Sequence, residues 1–335
     1  MAKPGPLNLI TDVPGLLVGN AEDQRARTGT TVLLAERPLV AAVDVRGGAP
    51  GTRETDLLRP DCLVQTVDAI VFSGGSVHGL AAADGTVEWL RRQGRGFEVA
   101  GHRMPIVPAA IIFDFPIGGE RDWPEGPPYR QLGQTAAAAA AAEFALGNAG
   151  AGLGARAGGL KGGLGSASIV AEDGLVVGAL AVANPVGEVV MGESGTMWAW
   201  DLECEGELGG QHPPAGPPEG GNVPLGDSQL GGNTTLVVVA TNLDLDKAQA
   251  GRLAIMAQDG LARAIRPSHT PFDGDSVFAL ATGEKAVAGQ VAEGLTRAGA
   301  LAADCAARAI ARAVFEAEPL DDTPAYRRRH ADAFG

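Results

Sequence analysis

Short runs of Val, Leu, Ile and Thr, separated by glycine, proline and charged residues, dominate the first part of the chain. Runs of this length, bounded by turn-forming residues, are typical of strands. They predict strands at Leu16–Val18, Thr30–Leu34, Leu39–Val45 and Ala69–Phe72. The last of these leads into a glycine turn, Ser73–Ser76, and an apolar helical pattern follows from Leu80 to Leu90.

Alanine and glycine shape the middle of the chain. The alanine run within Gln134–Leu146 predicts a helix, because alanine has the highest intrinsic helix propensity. Ile169–Val170 and Leu175–Ala183 alternate like the two arms of a hairpin. The polar segment Gly206–Gly232, rich in Gly and Pro, predicts a flexible surface loop that ends in a strand at Thr235–Ala240.

The last third has a simpler pattern. Leu243–Ile265 predicts a helix with Asp244 as its cap, Ser276–Thr282 predicts a strand, and Ala286–Glu316 predicts one long or broken helix. Strands and helices do not alternate regularly as βαβ units. The pattern therefore favours a layered α+β fold over a doubly wound sheet.

Composition and charge exclude several classes of protein. Lys and Arg number 26 against 40 Asp and Glu, a net charge of −14 that repels nucleic-acid phosphates. The three cysteines, Cys62, Cys204 and Cys305, are too far apart for a zinc motif or a disulfide framework. No apolar stretch reaches the ~18 residues of a membrane span, and Met1–Leu7 lacks the apolar region of a signal peptide. We therefore expect a soluble cytoplasmic protein without a metal or a membrane partner.

Few local motifs indicate chemistry by themselves. The Ser73–Ser76 turn matches neither dinucleotide-binding nor P-loop spacing, so it predicts a packing turn and no nucleotide cofactor. His78 and His269 lack the spacing that would support a Ser-His-Asp triad, and we expect structural or pocket-lining roles for them. Gly231–Leu236 runs from the long loop straight into a strand and places a threonine hydroxyl at the start of that strand. In isolation this junction is ordinary.

Six ordered blocks, spread over most of the chain, change the interpretation of the Gly231–Leu236 junction. They are Ile10–Gly19, Asp44–Asp56, Phe72–Ser76, Ala183–Gly187, Gly232–Thr235 and His269–Asp275. With these blocks the chain resembles the P1 (S58) family of self-processing N-terminal-nucleophile hydrolases, which includes L-aminopeptidase/D-esterases, β-peptidyl aminopeptidases and nylon-oligomer endo-hydrolases. The resemblance implies a four-layer αββα sandwich, in which helices cover two central sheets, a homotetramer of processed units, and no cofactor.

The resemblance also implies a reaction. A single self-processing domain, 1–335, would be cut between Asn233 and Thr234 into an α-chain, 1–233, and a β-chain, 234–335. The new α-amine of Thr234, with a pKa near ~8, could then deprotonate the hydroxyl of the same residue. Small peptides or linear oligoamides, such as 6-aminohexanoate oligomers, are the implied substrates.

Four further positions carry over from the family. Asp273 and Asp275 are two residues apart, so both would point to one face of an extended segment. One would hydrogen-bond the Thr234 ammonium and hydroxyl while the other holds the first in place, and an Asp–Asp pair follows the nylon-hydrolase pattern. Asn184 would stabilise the oxyanion. Lys161 would lower the pKa of Thr234 or contact the oxyanion.

One position departs from the family pattern. Where close relatives carry a tyrosine in an Ile-Tyr-Asp segment, this chain has Phe113, so a phenolic hydroxyl near the oxyanion is absent. We expect Phe113 to line the substrate pocket together with Ser76 and His269.

Two other functions stay open on the sequence. Ornithine acetyltransferases resemble this fold and also self-cleave before a threonine, but Met-Leu follows that threonine, whereas Thr235–Leu236 follows it here. An acyltransferase would prefer amine acceptors over water. A non-enzymatic small-molecule-binding protein using the Gly74–Gly75 turn would stay an intact single chain.

Overall fold

The computed structural model describes residues 2–214, 216 and 232–335, with strands at the centre and helices outside. The strands are β1 (Leu16–Asp23), β2 (Thr28–Val45), β3 (Thr52–Arg53), β4 (Thr66–Ser73), β5 (Phe97–Val99), β6 (His102–Met104), β7 (Ala109–Ile111), β8 (Arg156–Ala157), β9 (Leu160–Lys161), β10 (Gly163–Val170), β11 (Val176–Asn184), β12 (Thr234–Leu243) and β13 (Ser276–Lys285). The α-helices are α1 (Ala81–Arg92), α2 (Tyr129–Ala138), α3 (Lys247–Ala264), α4 (Val291–Phe315) and α5 (Tyr326–Arg329).

Nine strands form one hydrogen-bonded sheet that is divided into two layers. Its order is β10-β11-β12-β13-β2-β4-β7-β3, with β1 also paired to β2. The long β2 belongs to both layers, since Thr28–Ala35 pairs with β1 and Val40–Val45 pairs with β13. Helices α3 and α4 cover the β10–β13 layer, while α1 and α2 cover the other layer. The predicted αββα sandwich is confirmed, with its two sheet layers joined through β2.

Successive side chains along a central strand pack alternately into two different hydrophobic clusters. In β12, Val237 and Val239 pack toward the α3–α4 side, whereas Leu236 and Val238 pack into the cluster between the two sheet layers. Successive side chains of a strand point to opposite faces. Thr234, two residues before Leu236, therefore lies on the face directed between the layers.

Small residues let the helices lie close to the sheet. A Cβ atom added to Gly165 in β10 would lie 2.0 Å from the carbonyl oxygen of Ala309 in α4. The backbones of strand and helix are thus in direct contact at this point. A core with few aromatic residues is filled by this close approach of backbones.

The predicted strands are confirmed, with one correction. The separate strands predicted at Thr30–Leu34 and Leu39–Val45 are one strand, β2. Its pairing with β4 shifts register between Leu34 and Leu39. An irregularity inside a paired strand bends the strand without ending it, so the break in the sequence pattern marks the bend between the two layers.

Two of the helix predictions also need correction. The alanine-rich helix starts earlier than predicted and ends at Ala138, because Ala141 exchanges both backbone hydrogen bonds with Val18 of β1, at 3.0 and 3.1 Å. The predicted cap Asp244 instead donates its N–H to the Lys285 carbonyl at 2.8 Å, which extends the β12–β13 pairing. Helix α3 is capped by Asp246, whose side chain accepts the Gln249 N–H at 2.8 Å.

Most of the predicted loop Gly206–Gly232 lies outside the described residues. Its beginning is not a loose loop: Leu208 and Gln211 are buried, and the Glu203 carboxylate accepts their backbone N–H groups at 2.8 and 2.7 Å. In the part of the chain that the structure describes, no helix is long and apolar enough to cross a membrane.

Candidate active site

Thr234 opens β12 and is only 3% exposed. Its hydroxyl donates a hydrogen bond to the carbonyl oxygen of Asn233, the residue before it. The same oxygen accepts the Gly274 N–H at 3.0 Å. In the antiparallel pairing of β11 with β12, Asn184 is the residue opposite Thr234. The carbonyl oxygen of the Asn233–Thr234 peptide bond is therefore held by a hydroxyl and a backbone donor, and Asn184 lies opposite Thr234 on the neighbouring strand.

Gly274 is required at its position by space as well as by its N–H group. An added Cβ would lie 2.6 Å from the Thr234 Oγ1 and 2.9 Å from the Ala49 carbonyl oxygen. Contacts this short are not tolerated by real Cβ atoms, and the Ala49 backbone cannot move aside as a flexible side chain could. Sequence reasoning identified the two aspartates around Gly274 and missed the glycine itself, although its position inside an Asp-Gly-Asp segment was the available signal.

Asp275 is buried, and both of its carboxylate oxygens have partners. Oδ1 accepts the N–H of Thr235 at 2.8 Å. Oδ2 accepts the backbone N–H of His269 at 2.9 Å and lies 2.8 Å from its ring Nδ1. The carboxylate thus connects the residue directly after Thr234 to the His269 loop.

Asp273 is also buried but has different partners. Its Oδ1 accepts the Val186 N–H at 3.0 Å, and its Oδ2 accepts the N–H of Thr270 at 3.1 Å and the hydroxyl of the same residue. Burial, and then the negative charge of Asp275, raise the pKa of Asp273. Among the hydrogen bonds of the described residues, neither aspartate binds the Thr234 hydroxyl. The contact of one of them with the Thr234 ammonium stays a prediction.

The segment after β2 fixes the backbone on which both aspartates lie. The Asp275 carbonyl accepts the N–H groups of Arg46 and Gly47 at 3.0 and 3.1 Å, and the Asp273 carbonyl accepts that of Ala49 at 2.8 Å. A Cβ on Gly47 would lie 2.3 Å from the Asp273 carbonyl oxygen. This close approach gives a physical reason for the first glycine of the Gly-Gly within the Asp44–Asp56 block.

Asn184 ends β11 and is held in one orientation. Its Oδ1 accepts the Arg156 N–H at 2.9 Å, and its Nδ2 lies 3.4 Å from the Phe113 carbonyl oxygen, a long hydrogen bond. Because the strong bond engages the oxygen, the amide nitrogen is the group left to donate. Arg156, whose backbone sets this orientation, was not among the residues singled out from the sequence.

Lys161 ends β9 and is fully buried. Its Nζ donates to the carbonyl oxygens of Gly152 and Gly162, both at 2.9 Å. Burial lowers the pKa of Lys161 to about 7, against an opposing effect of the Asp114 charge. The residue pairs across the β8–β9 ladder with Arg156, and within the described residues it makes no hydrogen bond to Thr234. The predicted effect of Lys161 on the Thr234 hydroxyl stays a prediction.

The lowered pKa of Lys161 predicts a pH-dependent stability. Between about pH 7 and 10.5 the unfolded chain binds a proton at this lysine that the folded chain lacks. The free energy of unfolding therefore rises with pH across this window, by up to ~1.4 kcal/mol per pH unit. We expect Lys161→Met to remove this slope, measured by urea unfolding at pH 7.5, 8.5 and 9.5 in a Thr234→Ala background. The exposed Lys3→Met serves as control, and equal slopes in both variants would contradict the prediction.

The three residues predicted to line a substrate pocket have different contacts, and their shared pocket stays a prediction. The Phe113 ring stacks on Phe115 with centroids 5.1 Å apart, and Ser76, with a φ of +53°, donates its N–H to the Ile112 carbonyl at 3.0 Å. These two residues therefore border the end of β7. His269 has a different contact, the carboxylate of Asp275. Within the described residues, no hydrogen bond or ring contact joins the three side chains.

The glycine turn before α1 packs against a buried carboxylate. The Asp114 Oδ1 accepts the Gly75 N–H at 2.9 Å, and a Cβ on Gly74 would lie 2.0 Å from its Oδ2. The Arg121 guanidinium also donates to the Asp114 Oδ1 at 2.8 Å, and the Thr28 hydroxyl donates to its Oδ2 at 2.5 Å. The turn is a packing turn, as predicted. Among the residues that the structure describes, no group of three or more His, Cys, Asp or Glu side chains is placed to hold a metal ion.

Comparisons with known proteins find a matching family model, similar chains and similar folds. The family model of peptidase family S58 matches residues 8–326. An uncharacterized aminopeptidase of Mycobacterium tuberculosis (strain ATCC 25618 / H37Rv) is 46% identical over 349 residues, covering 98% of this chain and 100% of that protein. A 6-aminohexanoate-oligomer endohydrolase of Kocuria sp. (strain KY2) is 30% identical over 280 residues, covering 82% of this chain and 74% of that protein.

Two solved structures resemble the fold over nearly the whole chain. A β-aminopeptidase of Burkholderia sp. superposes with a TM-score of 0.71 at 26% identity, covering 99% of this chain and 95% of that one. An L-aminopeptidase D-Ala-esterase/amidase of Ochrobactrum anthropi, described as a variant of the Ntn hydrolase fold, gives a TM-score of 0.70 at 23% identity, with coverage of 96% and 89%. The second likeness concerns the fold alone.

Proposed function

The chain belongs to peptidase family S58 and is a hydrolase of peptide or other amide bonds, and from this premise we propose that Thr234 is its nucleophile, set free by self-cleavage after Asn233. One observation carries the proposal. The Thr234 hydroxyl is buried at the start of a central strand and hydrogen-bonds the carbonyl oxygen of Asn233, which also accepts the Gly274 N–H at 3.0 Å. The hydroxyl, the bond to be cut and a donor for the developing charge are thus already together in the intact chain.

Self-cleavage requires only groups that the chain supplies, and one water. The Thr234 Oγ1 bonds to the Asn233 carbonyl carbon, and the Gly274 N–H stabilises the resulting oxyanion. The hydroxyl proton passes to the amide nitrogen, the C–N bond breaks, and an ester joins Asn233 to the threonine side chain. Water hydrolyses this ester, which leaves a carboxylate on Asn233 and a free amine and hydroxyl on Thr234.

Turnover then uses the same atom on an external amide. The Thr234 amine accepts the proton of its own hydroxyl, and Oγ1 attacks the substrate carbonyl. The Asn184 Nδ2 donates to the oxyanion, while the proton leaves with the departing amine. An acyl-enzyme remains, and water releases the acid. The Asp275 carboxylate holds the strand at Thr235, so that the nucleophile stays in place through both steps.

The substrates we propose are small peptides or linear oligoamides. The similar M. tuberculosis protein is named an aminopeptidase and the similar Kocuria protein a 6-aminohexanoate-oligomer endohydrolase. The Asp273–Asp275 pair follows the nylon-hydrolase pattern, which favours oligoamide cleavage as an activity of a peptidase-like enzyme. Phe113 in place of the family tyrosine leaves Asn184 and backbone groups as the oxyanion donors.

Intact-mass spectrometry and a paired activity assay test the function. Purified wild-type protein should give two masses, those of residues 1–233 and 234–335. Aminoacyl-p-nitroanilides and 6-aminohexanoate oligomers should be hydrolysed in water, and added hydroxylamine or ornithine should not be required. A single uncut mass together with full amidase activity would refute the nucleophile. Turnover only with an amine acceptor would identify an acyltransferase instead.

We also propose that the processed units form a homotetramer. The β5–β6 hairpin carries three exposed apolar side chains, with Phe97 directly opposite Met104 and Val99 at its tip. A second copy of the chain would cover such a surface. Light scattering after size exclusion should give about four times 34.0 kDa. Val99→Glu should reduce this mass and the control Leu63→Glu, at a residue 89% exposed, should not; a monomeric wild type would contradict the assembly.

A further inference from the structure

His269 makes two hydrogen bonds to one carboxylate oxygen. Its backbone N–H and its ring Nδ1 lie 2.9 and 2.8 Å from the Asp275 Oδ2. An ionised carboxylate can only accept, so in the neutral imidazole Nδ1 carries the proton and Nε2 is left unprotonated. The His269 side chain is 24% exposed, whereas that of Asp275 is 1% exposed. The histidine therefore closes the solvent side of a buried carboxylate.

The backbone of His269 is in an unusual conformation that makes this double contact. Its φ is +57°, in the left-handed region that residues other than glycine seldom adopt. Such a conformation persists only where the surroundings enforce it, and it is often found at functional sites. Here the enforcing bonds are those of the next residue, Thr270, whose N–H and hydroxyl both bind Asp273. The strained residue is thus fixed between the two aspartates.

The carboxylate transmits this contact to the nucleophile strand. The other oxygen of Asp275, Oδ1, accepts the N–H of Thr235 at 2.8 Å. The Asp275 backbone is fixed separately by the N–H groups of Arg46 and Gly47. Because these two bonds hold the main chain of Asp275, the motion left to this residue is rotation of its carboxylate. The hydrogen bond from the His269 ring opposes that rotation.

We propose that His269 is a positioning residue, whose ring hydrogen bond to Asp275 holds the carboxylate on Thr235 and thereby fixes Thr234 for attack. The inference rests on the proposed function, because it needs Thr234 as nucleophile. The ring acts through Asp275 and does not itself exchange protons with the substrate. A small displacement of a nucleophile can reduce the rate about a hundredfold, so loss of the ring should act on kcat more than on KM.

A matched pair of variants separates the ring from the backbone. His269→Gly keeps the backbone N–H and favours a positive φ, so only the ring bond is lost. His269→Asn also tolerates a positive φ and places Nδ2, a donor, at the position of the ring Nδ1. We expect His269→Gly to lower kcat about 10- to 100-fold with KM within about threefold of wild type. His269→Asn should recover kcat to within a few-fold of wild type.

The readouts distinguish this inference from the proposed function. Thermal midpoints check that both variants fold, and intact masses show whether each variant is cleaved. If His269→Gly is cleaved slowly or not at all, the rate of self-cleavage becomes the readout. The proposal then requires that His269→Asn restores that rate. Asparagine as poor as glycine, or glycine as active as wild type, overturns the positioning role. Failure of the nucleophile proposal would show instead in the wild type, as an uncut chain that is fully active.

Discussion

Replacement of Thr234 by alanine is expected to leave one uncut chain and to abolish amide hydrolysis. Alanine cannot form the ester with Asn233, so no new amine is released. It also lacks the hydroxyl that would attack the substrate. Removal of the nucleophile from a catalytic unit lowers kcat by a factor on the order of 10⁴ to 10⁶. Intact-mass spectrometry and initial rates on an aminoacyl-p-nitroanilide measure the two effects in the same preparation.

The neighbouring threonine provides a matched control. Thr235 is buried like Thr234, and among the described residues its hydroxyl has no hydrogen-bond partner. Thr235→Val, which has nearly the same shape, should therefore be cut and active. Thr234→Ser keeps both hydroxyl and amine and should also be cut. A Thr234→Ala protein that divides into the same two fragments, or that hydrolyses amides at the wild-type rate, would exclude Thr234 as the nucleophile.

The layers of the fold could be predicted from the sequence because each strand carries its own pattern. The apolar runs at Ala69–Phe72 and Thr235–Ala240 lie within β4 and β12, and the hairpin before Asn184 is β10–β11. The predictions that were wrong concern features that depend on contacts with residues distant in sequence. The alanine run ends as a helix at Ala138 because its backbone pairs with Val18, and alanine propensity carries no information about that contact.

In the candidate site, too, the residues could be predicted from the sequence, whereas their contacts with residues distant in sequence could not. Thr234 and Asn184 were identified through a family resemblance, and their position opposite each other on paired strands is a property of the register that no local motif encodes. Asp275 contacts both His269 and Thr235. The sequence predicted a catalytic role for Asp275 and a pocket-lining role for His269, and it gave no indication that the two side chains are in contact. The space at Gly274 is set by Ala49, over two hundred positions away.

The second large effect is expected at Asn184. Its Oδ1 is engaged by the Arg156 N–H, so its Nδ2 is the group left to donate, and Asn184 lies opposite Thr234 in the strand pairing. Loss of a single oxyanion donor costs about 3 kcal/mol of transition-state stabilisation, or roughly 10²- to 10³-fold in kcat. Asn184→Ala should show this loss with little change in KM, because the bond strengthens only as charge develops on the substrate oxygen. Steady-state kinetics on the cleaved enzyme measure it.

A second asparagine on the same strand pair tests whether the effect is catalytic. Asn242, at the other end of β12, also binds β11 and its turn, through the Val176 N–H at 3.0 Å and the Gly174 carbonyl at 2.9 Å. Asn242→Ala removes a comparable set of structural bonds far from Thr234, so it should lower the thermal midpoint while kcat stays near wild type. If both alanine variants lose kcat in proportion to their lost stability, Asn184 supports the strand end and donates nothing to the oxyanion. If only Asn184→Ala loses kcat, at a thermal midpoint no lower than that of Asn242→Ala, the side chain acts on the reaction itself.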